Sequence, residues 1–302
     1  MAKCLVSLGS NLDDRAGLLR QAIAAMQSID GVQVTAQSTL HETLPAGGPV
    51  GQGNFLNCCV LLQTQLSATA LFSQLVAIET TLGRTRLIRW DARRIDIDLL
   101  LYDQVVVETS ELMVPHPRMA FRRFVLEPAV EIAGTIQHPV IGWTLQRLLD
   151  HLNHTQDYVA LTGSGAHTVF DQLSATDYEL VSERHLPASG PSLTRGLELQ
   201  RHRLQVLQRV DWERSQRFVI SDFWAGEATT NSEPEPGTVV AELATTPQPK
   251  LVVVVELPAA PSGPRQDHTT GATPGPYLFL HGQSVDNAVQ EIEGALLSMK
   301  PS

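Results

Sequence analysis

The sequence predicts two domains of different class, an α+β N-terminal half over residues 1–155 and an α/β C-terminal half over residues 156–302. Three observations point that way. A chain of 302 residues is longer than one core comfortably organises. The first half mixes helical apolar spacing with strands joined by short turns, the pattern of helices packed on an antiparallel-leaning sheet. The second half carries short runs that are apolar at nearly every position and separated by helical stretches, as in a parallel sheet buried on both faces.

In the first half, Lys3–Leu8 reads as a strand ending at Gly9-Ser10-Asn11. Asp13 or Asp14 is placed to cap a helix whose Ala16, Leu19, Ile23 and Met26 share one face, with Gly31 beyond its end. Val32–Thr43 alternates as a strand, and Phe55–Thr64 is another, after a Gly/Pro loop. Ser67 caps a second helix with Leu71, Leu75, Ile78 and Leu82 on one side, closed by Gly83. Ile95–Tyr102 and Val105–Val107 read as a hairpin turned at Asp103-Gln104.

In the second half, five strands are predicted: Tyr158–Thr162, Tyr178–Val181, Phe218–Ser221, Leu251–Leu257 and Tyr277–Leu280. Helices fall at Leu197–Trp212 and Val285–Met299. Glu227–Pro249 and Pro258–Pro276, rich in Pro, Gly, Thr and Ser, read as loops.

Composition excludes several classes of protein. The net charge of −10 opposes nonspecific nucleic-acid binding. Three cysteines make no disulfide framework and no zinc spacing, and the N-terminus lacks a signal-peptide core, so a cytoplasmic location is expected. No apolar run is long enough to span a bilayer. The acidity lies mainly in the second half, where 10 basic side chains face 18 acidic ones, against 12 and 14 in residues 1–156.

The strongest chemical signal is Arg84-x-Arg86-x-x-Arg89-Trp90-x-x-Arg93-Arg94-Ile95-Asp96-Ile97-Asp98. On a strand, Asp96 and Asp98 share one face while Ile95, Ile97 and Leu99 turn to the other. Two adjacent carboxylates suit Mg²⁺ that keeps open positions for phosphate oxygens. The arginines upstream suit a polyphosphate, because guanidinium stays charged and bonds in a fork. A salt-bridged surface is the alternative reading of the same residues.

Further motifs accompany this one: Gly9-Ser10-Asn11-Leu12, Asn54-Phe55-Leu56-Asn57, Glu79-x-x-Leu82-Gly83-Arg84, and Pro115-His116-Pro117-Arg118-Met119 with Arg122 and Phe124. Together they resemble the 6-hydroxymethyl-7,8-dihydropterin pyrophosphokinase family over about residues 3–152. The resemblance implies a ferredoxin-like α+β fold and transfer of diphosphate from ATP to the pterin hydroxymethyl group, with AMP released. It implies that Asp96 and Asp98 hold two Mg²⁺ ions and that Arg84 and Arg93 stabilise the transferring group. Arg86, Arg89, Trp90, Glu79, His116 and Arg122 would attend ATP. Thr43, Leu44, Pro45, Ala46, Phe55, Asn57 and Phe124 would form the pterin pocket. Packing roles remain open for Phe55, Phe124, Trp90, His116 and Glu79 when each is read by itself.

Thr162-Gly163-Ser164-Gly165-Ala166-His167-Thr168 follows a strand and looks like a phosphate loop that has lost its lysine, with His167 in its place. The only lysines are Lys3, Lys250 and Lys300. With Phe218–Phe223, it resembles a degenerate deoxynucleoside kinase-like P-loop domain that has lost phosphoryl transfer. A homodimer through this domain is allowed but required by no motif. The rival functions are a nucleoside kinase acting through the second half, or a binding protein without catalysis.

Overall fold

The computed structural model describes residues 1–49, 51–83, 93–183, 199, 202–212, 217–225, 248–256 and 275–301. It divides into two compact units, Met1–Asn153 with Glu293–Ser302, and His154–Ile292. Among the described residues, no helix is long and apolar enough to cross a membrane.

The first unit is built on five antiparallel strands: β1 (Ala2–Ser10), β2 (Val32–Gln37), β3 (His41–Thr43), β4 (Phe55–Thr64) and β5 (Asp96–Tyr102). Their order is β2-β4-β1-β5, with β3 also paired to β4. Helices α1 (Arg15–Gln27) and α2 (Ala68–Thr81) cover one face. The residues turned to them are Cys4, Val6 and Leu8 of β1, Cys58, Val60 and Leu62 of β4, and Ile97 and Leu99 of β5. They pack on Leu19, Met26, Leu71 and Leu75, all essentially fully buried. Each such side chain contributes about 1.5–3 kcal/mol by leaving water. The caps form as their sequence signals require: Asp14 accepts from Gly17 N at 2.9 Å, and Ser67 Oγ accepts from Ala70 N at 3.2 Å.

Two strand assignments change. Val32–Thr43 is two strands, because Ser38 leaves the ladder of β2 and bonds Cys59 in both directions. Its N–H reaches Cys59 O at 2.9 Å, and its Oγ accepts from Cys59 N at 2.9 Å. The hairpin expected at Asp103-Gln104 does not form. Asp103 turns the chain at φ +45, and Val107–Glu108 (β6) pairs instead with Met113–Val114 (β7).

Two helices escaped the reading of the first half, α3 (Arg123–Ala133) and α4 (Leu145–His154). α4 was legible in Leu145, Leu148 and Leu152, which recur at helical spacing and are buried. α3 is interrupted in pattern by Pro128 within it. It packs on the sheet face opposite α1 and α2, where Cys59 Sγ lies 3.6 Å from Val125 O.

The second unit carries the parallel sheet expected of it. β8 (Tyr158–Thr162), β9 (Glu179–Val181), β10 (Val219–Ser221), β11 (Leu251–Glu256) and β12 (Tyr277–His281) run β12-β11-β8-β10-β9. Every pairing is parallel. β8 is buried at all five positions, which explains its unbroken apolar pattern. A short helix α5 (Ala166–Phe170) follows β8, residues 202–208 are helical, and a final helix runs Val285–Met299, its residues from Glu293 onward belonging to the first unit. Nearly all of the two loop stretches, Glu227–Pro249 and Pro258–Pro276, lies outside the described residues.

Candidate functional site

The face of the first sheet that α1 and α2 leave uncovered carries the polar motif residues. Antiparallel register sets residues side by side across strands, and directly opposed residues share a face. Gly9 stands opposite both Asn57 and Asp96, and Asn57 stands opposite His41. One row therefore runs His41, Asn57, Gly9, Asp96 across four strands. Ser7 is opposed by Cys59 and Asp98 in the next row, and Phe55 is opposed by Thr43.

A cavity of about 190 Å³ opens over these rows. One end is lined by Thr43, Leu44, Ala46, Phe55, Asn57 and Phe124, the other by Arg93, Asp96, Asp98, His116 and Arg122. Six residues that the sequence reading left out of the site also line it: Ser7, Leu8, Gly9, Gly47, Arg118 and Val125. Gly9 and Arg118 stood in motifs already recognised. For Gly9 the reason is now visible, since a Cβ there would lie 2.8 Å from Asn57 Oδ1.

At the apolar end, Asn57 is buried and donates from Nδ2 to Thr43 Oγ1 at 2.8 Å, which fixes the plane of its amide. Phe55 and Phe124 are half-buried. Arg122 lies over the Phe124 ring, 5.4 Å from its centre. Pro45 is half-buried but does not line the cavity, which leaves the loop's contribution to Leu44, Ala46 and Gly47.

At the polar end, Arg93 Nη1 bonds Asp96 Oδ2 at 2.6 Å, and His116 Nε2 lies 3.9 Å from Asp98 Oδ2. His116 is anchored by its own N–H to Leu100 O at 2.9 Å, and its Nδ1 accepts from Arg118 N at 3.3 Å. Burial pushes the His116 imidazole down to about 3, and the Arg122 and Arg118 guanidiniums add to this while Asp96 opposes it. It is a neutral donor at ordinary pH. Burial also lowers Arg122, and the charges of Asp98 and Asp96 pull it back up.

The donor set fits magnesium. Asp96 and Asp98 are half-buried carboxylates on one strand face, turned toward a cavity, and among the described residues no cluster of three or more His, Cys, Asp or Glu competes with them. Two carboxylates with the remaining positions open are what an ion shared with phosphate oxygens requires.

Glu79, expected beside the nucleotide, stands apart from the cavity lining. It is buried, does not line the cavity, and its Oε1 accepts from Ile97 N at 2.6 Å. Through that bond it supports the strand that carries the aspartates. Arg84, Arg86, Arg89 and Trp90 lie outside the described residues.

In the second unit the glycine loop is packed against β11. Gly163 has φ +91, and a Cβ on it would lie 2.6 Å from Val255 O. Gly165 N donates to that same carbonyl at 2.9 Å. His167 Nδ1 lies 3.0 Å from Asp222 Oδ2, which also accepts from Ser182 Oγ at 2.6 Å.

Aromatic side chains and a fixed amide beside paired carboxylates and arginines make up a site of the phosphoryl-transfer class. Comparison with known proteins makes the class specific. Residues 5–134 match the family model described as 7,8-dihydro-6-hydroxymethylpterin-pyrophosphokinase (HPPK). The 2-amino-4-hydroxy-6-hydroxymethyldihydropteridine pyrophosphokinase of Bacillus subtilis is 40% identical over 161 residues, covering 50% of this chain and 96% of that protein. The enzyme of the same name from Haemophilus influenzae is 32% identical over 154 residues, covering 50% of this chain and 96% of that protein. The one from Synechocystis is 36% identical over 151 residues, covering 50% and 76%. The chain belongs to the HPPK family. These matches cover about half of it, and nothing in them supports the deoxynucleoside kinase likeness of the second half. A solved HPPK-DHPS structure aligns at a TM-score of 0.40 and 9% identity over 96% of this chain and 62% of its own, too low to assign a fold.

Proposed function

We infer that the chain transfers the diphosphoryl group of ATP to the hydroxymethyl oxygen of 6-hydroxymethyl-7,8-dihydropterin, yielding the pterin diphosphate and AMP in folate biosynthesis. The observation that carries this is one cavity lined by Asn57 and Phe124 at one end and by Asp96 with Asp98 at the other. The acceptor hydroxyl gives up its proton to solvent and its oxygen forms a bond to the β-phosphorus, as the bond from that phosphorus to the α,β-bridging oxygen breaks and that oxygen leaves on AMP. Residues 1–155 are the working domain in this reading.

The roles follow from the residues. Asn57, held by Thr43, meets the donor and acceptor edge of the pterin, and Phe55 and Phe124 enclose its ring with Leu44, Ala46 and Gly47 closing the loop side. Arg93 and Arg122 neutralise charge on the transferring group, with Arg84, Arg86, Arg89 and Trp90 at the nucleotide. Neutral His116 donates from Nε2 toward a phosphate oxygen. Asp96 and Asp98 would hold magnesium, two ions in our reading. When bound it screens the phosphate charge and raises the electrophilicity of the β-phosphorus.

The second unit is read as a companion domain without phosphoryl transfer. His167 in the place of the lysine is turned to Asp222, and the Gly165 amide is committed to Val255 O, which supports this. One assay tests both readings: the chain with ATP, Mg²⁺ and 6-hydroxymethyl-7,8-dihydropterin should give pterin-dependent AMP. ADP formed only with a deoxynucleoside would move the chemistry to the second unit.

A further inference from the structure

Strand β3 is three residues long, and among the described strands it pairs only with β4. Such a strand is held weakly by its ladder alone. Yet it carries Thr43, the partner of Asn57, and the loop that follows it forms one wall of the cavity. What secures it lies on α3. The Glu131 carboxylate accepts from Thr39 N at 2.7 Å and from Thr39 Oγ1 at 2.8 Å, and lies 2.6 Å from His41 Nε2. Three donors from the entry to β3 thus converge on one side chain of the helix. These bonds hold the carboxyl of Glu131 below its usual range against the opposing effect of burial.

The placement matters because α3 forms the other wall. Phe124 and Val125 in its first turn line the cavity, and Phe124 precedes Glu131 by two helical turns, about 10 Å along the axis. His41 belongs to the same cross-strand row as Asn57. Glu131 therefore fastens the strand bearing Thr43 to the helix bearing Phe124, two turns along that helix from the slot.

We propose that Glu131, through Thr39 and His41, is a positioning residue for acceptor recognition, setting the separation between the Thr43–Asn57 edge and the Phe124 ring. It touches no substrate. The proposal rests on the reading of this cavity as the pterin site.

The test is made on the full chain with Glu131→Ala, His41→Ala, His41→Gln and Asn57→Ala, measuring pterin affinity, affinity for a non-hydrolysable ATP analogue, kcat and Tm. Glu131→Ala and His41→Ala should weaken pterin binding roughly tenfold, with ATP-analogue affinity and kcat at saturating pterin within about twofold, since a small misplacement is felt where the slot is closed. His41→Gln keeps an N–H donor for the carboxylate and should restore near-native affinity. Pterin affinity unchanged in Glu131→Ala, with Asn57→Ala impaired, would overturn the proposal. So would an equal loss of pterin and ATP binding, which marks general damage. If Asn57→Ala itself binds pterin normally, the assignment of the cavity fails and this proposal with it. Should Glu131→Ala not fold, the two His41 variants decide the matter.

Discussion

Asn11 and Arg93 bond each other twice: Asn11 N donates to Arg93 O at 3.2 Å, and Arg93 N donates to Asn11 Oδ1 at 2.7 Å. The other end of the same amide donates to Gln52 Oε1 at 3.2 Å and Gly53 O at 3.4 Å. One buried side chain thus ties the segment bearing Arg93 to the loop that closes the apolar end of the cavity. Asn11→Ala removes the side-chain bonds to Arg93 N and to the loop, leaves the main-chain bond from Asn11 N to Arg93 O, and should weaken pterin and ATP binding together, each several-fold, at about 1–3 kcal/mol of stability for the buried groups left without partners. Paired titrations with pterin and an ATP analogue check this; weakening of one ligand alone would refute it.

Asp96→Ala and Asp98→Ala should each lower turnover by at least about 100-fold, the scale of losing one electrostatic contact to a transferring group. Tm should shift little, because both side chains face the cavity while Ile97 and Leu99 hold the core. Turnover at ordinary Mg²⁺ and thermal melts give the two readings. Chelation of magnesium should stop the native enzyme in the same assay, reversibly on adding it back.

Gly9→Ala places a methyl group 2.8 Å from Asn57 Oδ1, so the amide must rotate away from Thr43. The strand itself accepts alanine. The expected result is pterin affinity reduced roughly tenfold, with ATP-analogue binding and the folded fraction nearly unchanged. Equilibrium binding separates this from a folding defect.

Glu79→Ala leaves Ile97 N without its acceptor in the core and should cost about 1–3 kcal/mol of stability. Glu79→Gln, which keeps an amide oxygen to accept the bond, should lose less. Urea unfolding measures both. A fall in ATP affinity without a fall in stability would return Glu79 to the nucleotide.

His138 is buried, and its Nδ1 accepts from Val140 N at 3.3 Å and Ile141 N at 3.2 Å. Burial pushes its imidazole down to about 4 from 6.5. The unfolded chain therefore binds the proton first as pH falls. Stability from this residue is complete above about pH 6.5 and is lost between there and about pH 4, by at most about 3 kcal/mol. His138→Asn, which can still accept from these amides, should flatten the slope of stability against pH in that window.

Local chemistry made much of this protein legible before any fold was known. The i, i+2 spacing of Asp96 and Asp98 assigned both to one strand face; Ser67 marked the start of α2, and the Asp13-Asp14 pair marked that of α1, where the structure chooses Asp14. The unbroken apolar run of β8 announced a buried parallel strand. Such features depend on a residue and its near neighbours, so the sequence by itself determines them.

Contacts between distant segments required the tertiary structure. No local pattern says that Gly9 must be small for the sake of Asn57, that Glu79 bonds Ile97 N, or that Glu131 reaches Thr39 and His41 some ninety residues earlier. The expected hairpin after β5 failed for the same reason. Val107 has similar apolar character to any strand residue, and only the packing of the whole unit gave it Val114 as a partner. Register across four strands placed His41, Asn57, Gly9 and Asp96 in one row, because pairing is decided by which face the sheet buries and not by any one strand.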